Sequence, residues 1–122
     1  MRIIIAGGRD LKNYALVYSM CQFYLQNTQV TEIVSGKARG ADALGERFAK
    51  DMGIYVREFP AEWEKYGKTK AGKIRNEQMA KYGTHLIAFW DGKSRGTANM
   101  IELAKKHRLK VKVVPYGGHL DV

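Results

Sequence analysis

Residues 85–100 read HLIAFWDGKSRGTANM, and this stretch decides the fold assignment. The apolar run 85–90 predicts a buried strand, and the apolar spacing over 96–107 predicts a helix. The loop between them holds two glycines, Lys93 and Arg95. Such a loop directs unpaired backbone N–H groups and the positive end of a helix dipole at one point. The stretch is equally typical of an ordinary strand-to-helix turn and of the floor of a phosphate or nucleotide pocket.

The rest of the chain repeats the alternation of strands and helices. Strands are predicted at 2–6, 31–35, 54–59, 85–90 and 111–114, and helices at 13–26, 41–52, 72–82 and 96–107. Asn13 is the predicted N-cap of the first helix, and Gly53 is predicted to end the second. This order predicts an α/β fold, a Rossmann-like three-layer sandwich in a single domain, 1–122. Its five-stranded parallel sheet has the predicted strand order 3-2-1-4-5.

Two segments depart from the alternation. Residues 60–73 hold Trp63, Tyr66, two glycines and four lysines without a period, which predicts an irregular functional loop or lid. Residues 115–122 are predicted to form a tail. In the first helix we expect one apolar face, formed by Leu16, Met20, Phe23 and Tyr24, with Cys21 as a buried, inert thiol.

Composition and charge bound the function. No apolar run approaches the roughly 20 residues of a membrane helix, and residues 1–5 do not resemble a signal peptide, so we expect a cytoplasmic protein without a membrane partner. The net charge of +9 predicts a polyanionic partner. We interpret the basic group at 105–112 as a solvated surface. The other basic residues fall in or near loops at one end of the predicted sheet: Arg9, Lys37, Arg39, Lys68, Lys70, Lys73, Arg75, Lys93 and Arg95.

Several common sites are excluded by their missing motifs. The loop 7–10 lacks the G-x-G-x-x-G of dinucleotide-binding folds, and the chain has no P-loop and no G-x-S-x-G. His85, His107 and His119 show no metal-ligand spacing with one another or with Cys21. We therefore predict neither a metal nor a cofactor.

Topology brings the remaining loops together. In a sheet of order 3-2-1-4-5, the ligand lies beyond the carboxyl ends of strands 1 and 4, where the strand order reverses. The loops 7–10 and 91–96 end there, and 35–40 lies beside them. All three are glycine-containing and basic, which favours a nucleotide pocket over ordinary turns.

Four segments in order resemble the SLOG superfamily, whose name joins the Smf/DprA and LONELY GUY (LOG) proteins. They read GGRD at 7–10, SGKARGAD at 35–42, IRNEQM at 74–79 and FWDGKSRGT at 89–97. The chain is most similar to the small, single-domain YspA-like, cpYpsA-related branch. The resemblance implies a Rossmann-like fold that binds nucleotides or nucleotide-derived ligands, and a homo-oligomer, dimeric or larger.

Within the superfamily, the resemblance leaves the activity open. LOG enzymes cleave the N-glycosidic bond of nucleoside monophosphates with an arginine and a glutamate. Arg75 matches the arginine and 96–97 match the Gly-Thr of the LOG motif, but Met100 stands at the glutamate position. Glu102 comes two residues later, a rotation of roughly 200° on a helix, so it points elsewhere.

From the residues and the resemblance together, we predict ligand contacts at Gly7, Gly8, Arg9, Asp10, Ser35, Gly36, Arg39, Gly40, Asp42, Arg75, Asn76, Asp91, Ser94, Arg95, Gly96 and Thr97. Guanidinium groups bind phosphate in bidentate fashion, so Arg95 and Arg39 are the first candidates.

Each of these predictions has a structural alternative. The glycines serve close ligand approach or turn geometry alone, and Ser94 and Thr97 bind phosphate, cap a helix or do both. One of Asp10, Asp42 and Asp91 holds ribose hydroxyls or acts as the general acid of a hydrolase, and for Asp42 we favour stabilisation of the first helical turn. Trp63 and Trp90 stack on a base or belong to the core.

Three functions follow from these residues. We favour a non-catalytic sensor or sequestering protein for a nucleotide-derived signal, such as an ADP-ribose-like ligand or a cyclic nucleotide. The alternative is a hydrolase of N-glycosidic or phosphoester bonds in such ligands, with Arg75 and Asp91 as its catalytic residues. The third is a single-stranded DNA binder, ranked last because exposed aromatic residues are not interleaved with the basic ones.

Overall fold

The computed structural model describes residues 1–117; the predicted tail beyond Gly117, with His119, lies outside the described residues. Nine elements follow one another in the order β1 (Arg2–Gly7), α1 (Tyr14–Leu25), β2 (Glu32–Ser35), α2 (Ala41–Met52), β3 (Tyr55–Glu58), α3 (Trp63–Tyr82), β4 (His85–Trp90), α4 (Arg95–Lys106) and β5 (Lys110–Pro115).

The five strands form one parallel sheet in the order β3-β2-β1-β4-β5, which confirms the predicted topology. β1 and β4 are neighbours at its centre, with Ile5 opposite Ile87 and Gly7 opposite Phe89. The chain passes from β1 to one side of the sheet and from β4 to the other. The carboxyl ends of these two strands therefore diverge from their following helices and leave a crevice.

Both central strands are buried on both faces, as their continuous apolar sequences predict. Ile3 and Ile5 of β1 pack with α1 and α2 on one side of the sheet. Ile4 and Ala6, which alternate with them, pack with α3 and α4 on the other side. The period of two along the strand thus divides the core into two layers and gives the predicted three-layer sandwich.

The predicted apolar face of α1 is confirmed for Leu16, Met20 and Tyr24, which pack half-buried against the core, and is wrong for Phe23. The buried residues of α1 are Val17 and Cys21, whereas Phe23 is 61% exposed. Because apolar residues occur on several sides of α1, the periodicity of its sequence does not determine which of them face the sheet. In the structure the two fully buried positions are one helical turn apart, at i and i+4. The prediction for Cys21 is confirmed, because its side chain is fully buried and burial raises the pKa of the thiol to about 12.

The prediction of an irregular segment over 60–73 is wrong. Helix α3 already begins at Trp63 and continues to Tyr82, interrupted only at Gly67, whose φ of 81° and ψ of 172° are not helical. The residues from Trp63 to Lys70 are exposed or half-buried, so this part of the helix shows no apolar period. Periodicity reports burial on one face, and a helix that is solvated nearly all round does not produce it.

Two predicted helix ends are confirmed. The Asn13 side chain accepts a hydrogen bond from the Leu16 backbone N–H at 3.1 Å, and Gly53 ends α2 in the left-handed conformation. None of the helices within residues 1–117 is both long and apolar enough to span a membrane.

Candidate functional site

A cavity of about 390 Å³ opens at the carboxyl ends of β1 and β4. Its walls come from the loop after β1, the start of α2, the middle of α3 and the start of α4. Most of the predicted ligand-binding residues line it: Gly7, Gly8, Arg9, Asp10, Asp42, Arg75, Asn76, Asp91, Ser94, Gly96 and Thr97. We call it the central cavity. That these residues contact a ligand stays a prediction.

Backbone contacts fasten the loops around the cavity to one another. The Gly8 carbonyl accepts a hydrogen bond from the Ala41 backbone N–H at 3.1 Å, and the Gly8 N–H donates to the Phe89 carbonyl at 3.3 Å. A Cβ atom on Gly8 would lie 1.8 Å from the Tyr116 hydroxyl, and one on Gly40 would lie 2.2 Å from the Gly8 carbonyl oxygen. Packing between loops therefore already requires glycine at position 40, where the contacts are with backbone, whereas a Cβ at position 8 would displace the ends of the Tyr116 and Asp10 side chains.

Asp42 brings a buried carboxylate to the wall. Its side chain is 5% exposed, and its Oδ2 accepts a hydrogen bond from the Ala38 backbone N–H at 3.2 Å. Burial raises the pKa of Asp42 above its ordinary value, and the Ala38 N–H and the Arg75 guanidinium act in the opposite direction. Asp42 thus holds the loop before α2, as its position in the first helical turn predicts, and also faces the cavity.

Arg75 and Asn76 come from α3 and connect it to the loops. The Arg75 guanidinium donates to the Gly36 carbonyl and, through Nε, to Asn76 Oδ1 at 3.0 Å. The Asn76 amide donates to Asn99 Oδ1 at 3.0 Å and so reaches α4. Burial lowers the pKa of Arg75, which expresses the cost of holding a cation in this wall. A bound anion would offset that cost.

The loop between β4 and α4 satisfies part of its own hydrogen-bonding capacity. Asp91 Oδ1 accepts from the backbone N–H groups of Lys93 and Ser94, both at 2.8 Å. The Ser94 hydroxyl accepts from the Thr97 backbone N–H at 3.3 Å and so caps α4. The cavity therefore receives fewer N–H groups from this loop than its sequence predicts, and Ser94 fulfils the capping alternative.

Ser35 lies at the end of β2, beneath the loop 36–40, and does not line the central cavity. It is 1% exposed; its hydroxyl donates to Glu46 Oε2 at 2.6 Å and accepts from the Lys37 N–H at 3.1 Å. The Lys37 ammonium lies 3.0 Å from Glu46 Oε1 and 3.3 Å from Glu58 Oε2. Lys37 has a φ of 62°, a conformation that costs free energy for any residue but glycine. These contacts hold it in place.

A second cleft of about 380 Å³ adjoins the central cavity, and we call it the side cleft. Gly36, Arg39 and Trp63 line it, so three predicted ligand residues lie here instead of in the central cavity. Arg9, Ala38 and Arg75 line both spaces.

Besides Ser35, three predicted residues lie outside both spaces in the structure. Arg95 is exposed at the start of α4, between Ser94 and Gly96 of the central cavity wall. Gly40 lies beneath Arg9 in the packing of the loops. Trp90 is half-buried against the second core layer and donates its indole N–H to the Ser94 carbonyl at 3.0 Å, so it fulfils the core alternative.

Other residues of the site escaped the sequence reasoning. Ala6, Met79 and Met100 form an apolar floor, and Ala38 contributes to both walls. Glu102 is exposed on α4, as the helical rotation predicts. Residue 115 belongs to β5 rather than to a tail, and the Tyr116 hydroxyl donates to Asp10 Oδ1 at 2.6 Å. The Gly-rich loops gave a signal for the polar wall, but nothing in the sequence marks Tyr116.

Within residues 1–117, no three His, Cys, Asp or Glu side chains are grouped to hold a metal ion.

Comparison with known proteins gives three similarities. A family model described as the YspA, cpYpsA-related SLOG family matches residues 1–66. The Gene 61 protein of Mycobacterium phage D29 is 32% identical over 117 residues, which cover 90% of this chain and 93% of the phage protein. A solved structure of DNA processing protein A from Helicobacter pylori, described by its single-stranded DNA binding mode, superposes with a TM-score of 0.65. It is 16% identical, and the match covers 96% of this chain but only 66% of that one, so this likeness concerns the fold alone.

Proposed function

The chain belongs to the YspA, cpYpsA-related SLOG family, and on that premise we propose that it binds a nucleotide or nucleotide-derived ligand in the central cavity. It holds the ligand as a sensor or sequestering protein. ADP-ribose-like compounds and cyclic nucleotides are the ligands we favour. The cytoplasmic location and the homo-oligomeric state stay predictions, and light scattering of the purified protein measures the second.

The mixed charge of the cavity carries this proposal. Two guanidinium groups, from Arg9 and Arg75, line the same space as the carboxylates of Asp10 and Asp42. Guanidinium groups suit phosphate, and carboxylates accept hydrogen bonds from ribose hydroxyls. A volume of about 390 Å³ lies in the range of small-molecule sites. A purely anionic ligand would be repelled by the aspartates, whereas a nucleotide offers both kinds of group.

We propose binding without cleavage because of what α4 contributes. Met100 lies in the cavity floor at the position where LOG enzymes have glutamate, and Glu102 faces solvent. The carboxylates near the ligand are instead aspartates that already hold the loops: Asp10 accepts from Tyr116, Asp42 from Ala38, and Asp91 from two N–H groups.

A thermal-shift screen of nucleoside mono- and diphosphates, ADP-ribose and cyclic nucleotides tests binding. A ligand at about 100 times its Kd adds about 2.7 kcal/mol to stability, which raises Tm by roughly 5–15 °C. Arg9→Gln removes an exposed cation of the wall and should abolish most of this shift. Lys105→Gln, an equal change of charge at the other end of α4, should leave it intact. A screen without any shift, or a loss of equal size in both variants, would refute the proposal.

A nucleotide hydrolase is the second candidate, and the state of Asp42 favours it. A buried carboxyl with a raised pKa, beside Arg75 in the cavity, has the properties of a general acid. Chromatography after long incubation should then detect a released base or phosphate. Asp42→Asn should abolish the product while ligand binding persists. Ligand recovered intact from the wild-type protein excludes this candidate.

Single-stranded DNA is the third candidate, and the side cleft supports it through Arg39 and Trp63. Binding by charge and stacking predicts anisotropy that falls steeply with salt. An unchanged anisotropy of labelled oligothymidylate at low salt would dismiss it.

A further inference from the structure

The central cavity and the side cleft share one wall. Arg9, Ala38 and Arg75 line both, with about 390 Å³ on one side and about 380 Å³ on the other. Each space lies within the size range of a small-molecule site. A molecule that passes the shared wall would therefore meet two guanidinium groups midway between two cavities of similar size.

The side cleft has its own recognition chemistry. Trp63 lies at its edge, 43% exposed, and none of the ring pairs among residues 1–117 involves it. The end of its ring and the Arg75 Nη2 atom lie 3.9 Å and 3.7 Å from the position that a Gly72 Cβ would take. An exposed indole next to a guanidinium is a platform on which a base can stack while its phosphate reaches the cation.

The positive charge of this region is only partly compensated. Lys37 is paired with Glu46 and Glu58, but no ion pair within residues 1–117 involves Arg9 or Arg39. Arg75 donates to the Gly36 carbonyl, a neutral acceptor. Arg9 and Arg39 thus bring guanidinium groups without an ion pair among residues 1–117 to the passage from one space to the other, and Arg75, whose charge Asp42 offsets in part, adds a third. This arrangement favours a phosphate there.

We propose that the two spaces form one binding channel for a ligand with two nucleoside groups joined through phosphate. One nucleoside lies in the central cavity, the phosphates lie across Arg9 and Arg75, and the second base stacks on Trp63 next to Arg39. This inference rests on the proposed function and narrows its ligand class to dinucleotides.

Titration calorimetry with matched ligands tests the channel. The probes are AMP against diadenosine diphosphate, and GMP against diguanosine diphosphate. At least one dinucleotide should bind more than tenfold tighter than its mononucleotide. Trp63→Ala should weaken the binding of that dinucleotide by roughly 5- to 150-fold, the range for the loss of one stacked base, and leave the affinity for the mononucleotide unchanged. Trp63→Phe should restore most of the loss, and Phe23→Ala, which removes an exposed ring from α1, should change neither affinity.

The possible failures are distinguishable. The channel is overturned, and the proposed function left standing, if a mononucleotide binds as tightly as its dinucleotide. The same holds if Trp63→Ala lowers the affinity for both ligands equally. Absence of binding by all four probes overturns the channel, and the proposed function falls with it only if the thermal-shift screen, with ADP-ribose and the cyclic nucleotides, also shows no shift. Oligothymidylate that binds tighter than either dinucleotide, and depends on Trp63, assigns the side cleft to single-stranded DNA and also overturns the dinucleotide inference. The unchanged mononucleotide affinity of Trp63→Ala shows that the variant is folded.

Discussion

Gly40→Ala should destabilise the protein and loosen the central cavity together. Gly40 has a φ of 73° and a ψ of −122°, a conformation that residues with a Cβ rarely adopt. The new Cβ would also lie 2.2 Å from the Gly8 carbonyl oxygen and 2.7 Å from the Arg9 Cα atom. Both contacts are with backbone, so a side-chain rotation cannot relieve them, and the loop after β1 must move by about 1 Å to restore a normal contact.

The cost follows from strain and from lost hydrogen bonds. The unfavourable backbone conformation costs about 1–3 kcal/mol. The Gly8 carbonyl accepts from the backbone N–H groups of Ala41 and Leu11, at 3.1 Å and 3.4 Å, and a displaced loop weakens both. With about 0.5–1.5 kcal/mol for each hydrogen bond, the total is about 2–6 kcal/mol. Since domains are stable by about 5–15 kcal/mol, the variant should still fold.

Gly92→Ala is the matched control. Gly92 also has a positive φ, 83°, but a Cβ there would have no atom within 4 Å, so only the strain applies. Urea denaturation of both variants at equal m-value measures the difference, and thermal shift with the best ligand measures the cavity. Gly40→Ala should lose about 1–3 kcal/mol more than the control, the contribution of the two hydrogen bonds, and should bind ligand more weakly. If both variants lost equal stability, the loops would not be fastened as the structure indicates.

Three further predictions concern buried polar groups and the thiol. Asp42→Asn should be more stable than the wild type at neutral pH. Because the pKa of Asp42 is raised in the folded state, protonation favours folding, and this gain should shrink as the pH falls through the folded-state pKa towards the ordinary value of about 3.9. Ser35→Ala should cost about 1–3 kcal/mol in urea denaturation, since it leaves Glu46 and the Lys37 N–H without their hydroxyl partner. Cys21 should react with a disulfide reagent at least about 100 times more slowly in the native protein than in denaturant, because its thiol is buried and its pKa is about 12.

Each of these predictions has its own control. Glu102→Gln replaces an exposed carboxylate, so its stability relative to the wild type should not show this change with pH. If the stability gain of Asp42→Asn grew as the pH fell, the raised pKa of Asp42 would not be its cause. Ser19→Ala, on the exposed side of α1, should be neutral, so an equal cost at both serines would remove the role of the Ser35 network. Rapid native modification of Cys21 would mean that α1 opens from the sheet far more readily than its packing implies.

The sequence by itself determined the sheet and the position of the cavity. Continuous apolar runs such as Ile3–Ile5 and Leu86–Phe89 are buried on both faces, and this fixes parallel central strands. The alternation with helices and the right-handed crossovers leave few strand orders, and the predicted order 3-2-1-4-5 brings the loops at 7–10 and 91–96 together. These are consequences of period and chirality, and local sequence contains both.

Only the tertiary structure decided how the loop residues divide their tasks. Asp91 accepts hydrogen bonds from backbone N–H groups that the sequence predicted for a ligand, and Trp90 donates its indole N–H to the Ser94 carbonyl. Trp63, which begins a solvated helix without an apolar period, lines the side cleft. Gly40 is required by contacts with the backbone of Gly8 and Arg9, and Gly8 leaves room for the Tyr116 hydroxyl, in both cases between segments far apart in the chain. Which polar group finds a partner within the chain depends on distances between elements, and residue types and spacing along the sequence do not encode those distances.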